Sequence, residues 1–90
     1  MEKVIIRKLK EGELKALSVE EWPVWEKEES EFPWFYRDFD EQCYIIEGEA
    51  YIRTTSGHYK IEAGDFVHFK KGLSCDWKIT KPIKKYFNFI

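Results

Sequence analysis

Several features that are typical of secreted, membrane and nucleic-acid-binding proteins are absent from this sequence of 90 residues. No apolar run approaches the roughly 18 residues that a membrane helix needs, and the N-terminal segment MEKVIIRKLKEGE is too charged for a signal peptide. The net charge is -2, with Lys and Glu mixed along the chain and no basic block for nucleic acid. We therefore predict a cytoplasmic protein that contacts neither membrane nor nucleic acid.

Asparagine, glutamine, histidine and cysteine are also scarce. Asn and Gln occur once each while Lys and Glu are abundant, and this bias is typical of thermophile proteins. Neither histidine, His58 or His68, has a nearby Ser or Asp arrangement for nucleophilic catalysis. The two cysteines, Cys43 and Cys75, are not expected to form a disulfide, because a cytosolic setting argues against one.

The hydrophobic pattern predicts mainly β-strands. Val4–Ile6 is a short apolar run, and Leu9–Leu17 is the one helical pattern, although Gly12 weakens it. From residue 22 onward, short β-rich segments follow one another at regular spacing, which indicates an all-β barrel or sandwich. The last two predicted strands are Cys75–Thr80 and Lys84–Phe89. Turn residues separate the strands, at Gly57, Gly64, Gly72 and Pro82.

Aromatic residues, in contrast, are abundant, with seven Phe, five Tyr and four Trp. A chain of this length makes one domain and buries only about 60–65% of the surface that its unfolded form exposes. A high density of rings suits a small barrel that is filled by them. We predict a single domain, 1–90, with an N-terminal strand and helical segment in residues 1–21 and the barrel in residues 22–90.

Two segments have spacings that match known motifs. EQCYIIEG places six residues between Glu41 and Gly48, and GDFVHFKKGLSC runs from Gly64 through Gly72 to Cys75. In this order, with a hairpin between them, the segments resemble the two motifs of the cupin superfamily, E-x6-G and G-x5-P-x-G-x2-H. The resemblance implies an all-β fold, a small cupin barrel of the jelly-roll type, preceded here by a short helix.

The detailed match is to the small stand-alone cupins that are grouped with the cupin domain of ureidoglycine aminohydrolase. The shared residues begin with WPVW and FPWFY and continue through the two motif segments to Trp77, so the resemblance covers roughly residues 14–88. The resemblance implies no established activity for the stand-alone members. It also suggests an alternative, a hydrolase of small molecules that resembles the aminohydrolase.

Most of the usual cupin metal ligands are missing. The H-x-H positions, under two alignments, fall on Trp34 and Tyr36 or on Phe35 and Arg37. Among the four ligand positions of the cupin pattern, only Glu41 has the usual residue type. Cys75 stands at the position of the fourth ligand. Cys43 lies two residues from Glu41 and so faces the same side of a strand. A metal site made of Glu41, Cys43 and Cys75 is the less favoured alternative. We predict no metal and no cofactor, with both thiols as small buried apolar side chains.

A pocket is predicted where the two motifs meet inside the barrel. A carboxylate at Glu41 among aromatic rings must pair, accept hydrogen bonds or hold a proton, and Arg37 or the Tyr36 hydroxyl could serve. Trp77 faces the same side as Cys75. The alternatives are that Glu41 is hydrated at the barrel mouth and that the rings are simply core. The candidate pocket residues are Tyr36, Glu41, Cys43, Cys75 and Trp77, and no catalytic residue is assigned.

The function that these observations favour is a metal-free cupin that binds an unidentified small molecule or serves as an interaction module. The small-molecule hydrolase remains the alternative. A homodimer is favoured over a monomer, because Val4–Ile6 and Tyr86–Ile90 look like apolar edge strands that would otherwise be exposed.

Overall fold

A computed structural model describes residues 3–90 as seven β-strands, one short α-helix and one 3₁₀ turn. The predicted all-β fold with a short N-terminal helix is confirmed. In chain order the elements are β1 (Val4–Lys8), α1 (Glu11–Ala16), the 3₁₀ turn (Val19–Glu21), β2 (Val24–Lys27), β3 (Ser30–Phe35), β4 (Glu41–Thr54), β5 (Gly57–Glu62), β6 (Asp65–Phe69) and β7 (Ser74–Phe89).

Helix α1 is a minor element that buries none of its residues. Its first turn is held by the Lys10 backbone N–H, which donates to the Glu13 carboxylate at 3.2 Å. Glu11 and Glu13 lie in the first turn and Lys15 in the last, an arrangement that complements the helix dipole. Within residues 3–90 no helix has the length and apolar character needed to cross a membrane.

The long strands β4 and β7 form the centre of the antiparallel sheet. The first part of β4, 41–45, lies between β6 and the end of β7, and its second part, 49–54, lies between β5 and the beginning of β7. Strand β1 extends the sheet beside β6, while β2 and β3 both pair with β7. Each long strand therefore pairs with one set of strands along its first part and with another set along its second part.

The prediction of a turn at Pro82 is wrong, because β7 runs without interruption from Ser74 to Phe89. The register between β7 and β4 shifts three times between Ile45 and Ala50. Gly48 lies within these shifts at φ 95°, and a Cβ atom on it would collide with the carbonyl oxygen of Pro82. Proline has no N–H for the ladder, and irregular pairing in the partner strand accommodates it. Gly48 and Pro82 therefore mark an irregularity within two continuous strands. The turns predicted at Gly64 and Gly72 are present, and the one predicted at Gly57 lies just before it, at residues 55–56.

Alternating residues of the long strands fill the core, as the predicted strand parity requires. Along β4, Glu41, Cys43 and Ile45 are buried, and along β7 Cys75 and Trp77 are buried. The largest fully buried side chains also include Phe69, Ile52, Ile61, Ile83 and Val67.

The C-terminal end of β7 is held on more than one side. Tyr86 lies opposite Tyr44 of β4 and Val24 of β2, so the expectation of an edge strand is wrong at this position. The Ile90 backbone N–H donates to the carbonyl oxygen of Asp40 at 2.9 Å, and the Asp40 N–H donates in return at 3.0 Å. Strand β1 does lie at the edge of the sheet, although its Val4 side chain is buried.

Candidate functional site

A cavity of about 230 Å³ lies among β2, β3, β4 and β7. Its wall consists of seven aromatic side chains and two charged ones, Glu41 and Lys85. The aromatic members are Trp25, Phe32, Trp34, Tyr36, Trp77, Phe87 and Phe89. The wall is therefore formed over most of its area by the apolar faces and edges of aromatic rings, with a single charged region.

Cross-strand pairing brings the wall residues together. In the ladder between β2 and β7, Trp25 lies opposite Lys85, and in the ladder between β3 and β7, Phe32 lies opposite Trp77. Directly opposed residues of antiparallel strands are close enough for their side chains to interact. Phe32 and Trp77 accordingly stack with ring centroids 6.1 Å apart and planes 9° from parallel.

The charged region is a buried triad of Tyr36, Glu41 and Lys85. The Tyr36 hydroxyl donates to Glu41 Oε1 at 2.6 Å, and the Lys85 ammonium donates to Glu41 Oε2 at 2.6 Å. The relative exposure of the three residues is 3%, 3% and 6%. Both charges therefore have partners away from water, as buried ions require. Of the two partners predicted for Glu41, Tyr36 donates a hydrogen bond to it, whereas Arg37 is exposed.

Two indole rings enclose the ammonium of Lys85. Its Nζ atom lies 4.9 Å from the ring centroid of Trp25 and 4.7 Å from that of Trp77. A cation over the face of an aromatic ring is attracted by the negative charge density of that face. The carboxylate of Glu41 and both indole rings therefore contact the same ammonium group.

Lys85 is the charged residue of the cavity wall that sequence reasoning missed, along with several of the aromatic ones. A signal for it exists, because Lys85 has the same strand parity as Cys75, Trp77 and Ile83, all of which are buried. That parity is visible only if β7 is taken as one strand. The assumed turn at Pro82 separated Lys85 from the first half of the strand and hid the relation.

The Tyr36 hydroxyl is a donor that stays protonated. Burial and the adjacent Glu41 carboxylate raise its pKa far above the ordinary value, since both disfavour a phenolate. The ring itself is fixed by stacking on Phe69, with centroids 5.1 Å apart. Tyr36 thus holds the carboxylate in place from one side while Lys85 holds it from the other.

The two cysteines are buried and free, and neither lines the cavity. Burial raises the pKa of Cys43 to about 12, and burial followed by the Asp76 charge raises that of Cys75 to about 11. The Cys75 thiol donates to the carbonyl oxygen of Trp34 at 3.6 Å. Both groups are therefore thiols at neutral pH, the form that neither attacks as a nucleophile nor binds metal well. Of the predicted pocket residues, the structure brings Tyr36, Glu41 and Trp77 together on the wall.

The residues of this region do not fit the metal ion that cupin sites commonly hold. Among the residues that the structure describes, no three His, Cys, Asp or Glu side chains are grouped to hold a metal. Both oxygens of Glu41 already accept hydrogen bonds, one of them from a cation. Under either alignment of the H-x-H motif, the positions of its histidines hold other residues, Trp34 and Tyr36 or Phe35 and Arg37. The alternative set of Glu41, Cys43 and Cys75 is not assembled.

Comparison with known proteins places the chain in a family. Residues 14–87 match the family model described as a EutQ-like cupin domain. A DUF861 family protein from Thermotoga maritima has a similar solved structure, with 51% sequence identity, a TM-score of 0.93, and coverage of 97% of this chain and 99% of that one. A comparison with curated proteins found no match.

More distant structures share the fold alone. A putative ethanolamine utilization protein Q from Salmonella typhimurium is 19% identical, with a TM-score of 0.66 and coverage of 96% of this chain and 68% of that one. The EutQ protein of Clostridium difficile is 19% identical, with a TM-score of 0.68 and coverage of 96% and 66%. The match over residues 14–87 and the similarity to the Thermotoga maritima protein establish that this chain belongs to the family of EutQ-like cupin domains.

Proposed function

We propose that this protein is a cupin that binds one small molecule in its aromatic cavity without using a metal ion. The observation that carries the proposal is that the charged groups of the cavity, Glu41 and Lys85, are already paired with each other. A ligand therefore meets a polar end that is electrically neutral and a wall made of rings. Such a site binds by stacking and hydrogen bonding.

The size of the cavity limits the ligand. A volume of about 230 Å³ corresponds to roughly eight water molecules at about 30 Å³ each. This is slightly below the range of about 300–1,000 Å³ that is usual for drug-sized ligands. A molecule with a single ring and a small substituent is the size that this space accepts.

A hydrolytic reaction like that of ureidoglycine aminohydrolase remains the alternative prediction. General acid–base or nucleophilic catalysis is best served by a group that changes protonation near the working pH. The pKa of the Tyr36 phenol is raised, and the thiols of Cys43 and Cys75 have pKa values of about 12 and 11. These observations favour binding over hydrolysis.

The proposal includes a homodimer in the cytoplasm, as the sequence analysis predicts. Two free thiols agree with a reducing compartment. Phe35, Phe39 and Ile90 are 52%, 57% and 55% exposed, and a second copy of the chain would cover them. Light scattering at high concentration measures the mass, and a monomer would contradict the dimer.

The indole N–H signals of the tryptophans provide a test of binding in the cavity. In a ¹H–¹⁵N spectrum titrated with phenol or toluene, we expect saturable shifts for Trp25, Trp34 and Trp77, whose side chains line the wall. Trp22 is an internal control, because it packs against Phe66 outside the cavity, with ring centroids 6.3 Å apart. No shift with either probe, or equal shifts of all four signals, would overturn the proposal.

A pair of alanine variants sharpens this test. Trp34 lines the cavity but is 48% exposed, so Trp34→Ala removes part of the wall with little cost to the core. Tyr51→Ala is the matched control, since Tyr51 is 38% exposed and lies outside the cavity. We expect weaker probe binding for the first variant and unchanged binding for the second.

A further inference from the structure

Two hydrogen-bond donors of the buried triad are used on Glu41. The ammonium of Lys85 has three N–H groups, of which one donates to Glu41 while the rings of Trp25 and Trp77 cover it at 4.9 and 4.7 Å. The single O–H of Tyr36 is used on the other carboxylate oxygen. A ligand that accepts a hydrogen bond from the other two N–H groups of Lys85 would have to replace contacts between the ammonium and the two indole faces.

Hydrogen-bond acceptors with free lone pairs remain at the polar end of the cavity. The two oxygens of a carboxylate offer about four lone-pair sites, and the hydrogen bonds of Glu41 use one on each oxygen. The oxygen of Tyr36 also keeps its capacity to accept after donating its proton. The polar end of the cavity is therefore complementary to a ligand that donates an N–H or O–H.

The charge balance of the cavity selects against ions. Glu41 and Lys85 neutralise each other, and their side chains are 4% and 7% exposed. An anionic ligand would compete with Glu41 for the ammonium. A cationic ligand would compete with Lys85 for the carboxylate and for the faces of the indole rings. Either would leave a third charge without a partner among aromatic walls, which is costly.

We infer that the ligand of this cavity is a neutral molecule with a single ring that carries a hydroxyl or N–H donor, and that this donor binds the free lone pairs of Glu41 and Tyr36. The inference rests on the proposed function, since it specifies the ligand of that same cavity. It also identifies Lys85 as the residue that decides ligand charge, because it supplies the positive charge that Glu41 would otherwise seek from a ligand.

Four fluorinated probes of similar size test the inference on the unmodified protein by ¹⁹F NMR titration. They are 4-fluorophenol, 4-fluorotoluene, 4-fluorobenzoate and 4-fluorobenzylammonium. The first two differ in a hydroxyl against a methyl group, and the last two carry opposite charges. We expect 4-fluorophenol to bind about tenfold more tightly than 4-fluorotoluene through the hydrogen bond to a charged acceptor, and both ions to bind more weakly than 4-fluorophenol.

The outcomes separate this inference from the proposed function. If 4-fluorotoluene binds as tightly as 4-fluorophenol, or if either ion binds most tightly, the inference is overturned while small-molecule binding in the cavity stands. If none of the four probes shifts the indole signals of Trp25 and Trp77, the proposed function itself fails.

Lys85→Ala provides a second test, because it leaves a space between two indole faces, next to a carboxylate that has lost its cation. The preference should then change to 4-fluorobenzylammonium, and this probe should raise the midpoint of thermal unfolding of the variant while leaving that of the unmodified protein unchanged. An unchanged order of probe affinities in a folded variant would contradict the role given to Lys85. If the variant does not fold even with the probe present, that result contradicts the proposed exchange of ammonium groups.

Discussion

Replacing Lys85 with methionine tests the buried ion pair on which the site depends. Methionine keeps most of the stem but removes the ammonium, which lies 2.6 Å from Glu41 Oε2. Glu41 then keeps the Tyr36 hydroxyl as its remaining partner, and breaking a buried pair by removing one ion costs about 3–5 kcal/mol. The lost contacts between the ammonium and two indole rings add about 1 kcal/mol. We expect a total loss of about 4–6 kcal/mol, against the roughly 5–15 kcal/mol that stabilises a typical domain.

Guanidinium unfolding followed by tryptophan fluorescence measures this loss as a change in the free energy of unfolding. Lys60→Met is the matched control, because the Lys60 ammonium lies 3.1 Å from a Glu62 carboxylate but its side chain is 48% exposed. An exposed pair contributes about 0–1 kcal/mol, so the control should lose no more than that.

A double variant isolates the coupling between the two charges. Glu41→Gln combined with Lys85→Met removes both ions while leaving an amide oxygen for the Tyr36 hydroxyl. We expect the double variant to be about 2 kcal/mol more stable than Lys85→Met alone, because no buried charge is left unpaired. The reasoning is refuted if Lys85→Met loses no more stability than Lys60→Met, or if the double variant is less stable than Lys85→Met.

Three further outcomes are expected. The backbone N–H of Lys71 and the imidazole of His68 lower the pKa of Asp40 below its usual 3.8. The stabilising contribution of Asp40 is therefore present above that pH and is lost as the pH falls through the lowered pKa. In urea unfolding from about pH 4 to about pH 2, the free energy of unfolding should decline less steeply for Asp40→Asn than for the unmodified protein. Cys43 and Cys75 should resist iodoacetamide at pH 8 in the folded protein and react after unfolding, as mass spectrometry can measure, and rapid labelling of either in the folded state would contradict the raised pKa values of about 12 and 11. Gly48→Ala should cost at least about 2 kcal/mol in chemical unfolding, because the residue has φ 95° and no room for a Cβ atom, whereas Gly12→Ala, which meets no atom within 4 Å, should be neutral or stabilising.

Much of the architecture could be predicted because it follows from local patterns. The alternation of apolar residues has the period of a β-strand, so the shared inward side of Glu41 and Cys43, and that of Cys75 and Trp77, could be assigned correctly. Gly57, Gly64 and Gly72 could be recognised at or next to turns because each stands between two segments with the composition of a strand. The order and spacing of the two motif segments then indicated the cupin fold.

Pro82 shows where local patterns are insufficient. Proline can mark a turn or an irregularity in a strand, and the sequence around it is compatible with both. The choice depends on Gly48, which lies 34 positions earlier and approaches the Pro82 carbonyl too closely for any side chain. A contact between distant segments, and not the residues beside the proline, makes β7 a single strand.

The sequence by itself therefore determined that the chain is mainly β, that Glu41 shares one side of its strand with Cys43, and that the histidines of a usual cupin metal site are missing, because strand period and residue type are local properties. Only the tertiary structure decided that Glu41 is paired with Lys85, which is 44 positions away in the chain. Tertiary structure also decided that Trp25 and Trp77 enclose the ammonium and that both thiols lie off the cavity wall. The physical reason is that a buried charge is stable only beside an opposite one, and which cation reaches it depends on the register between β4 and β7.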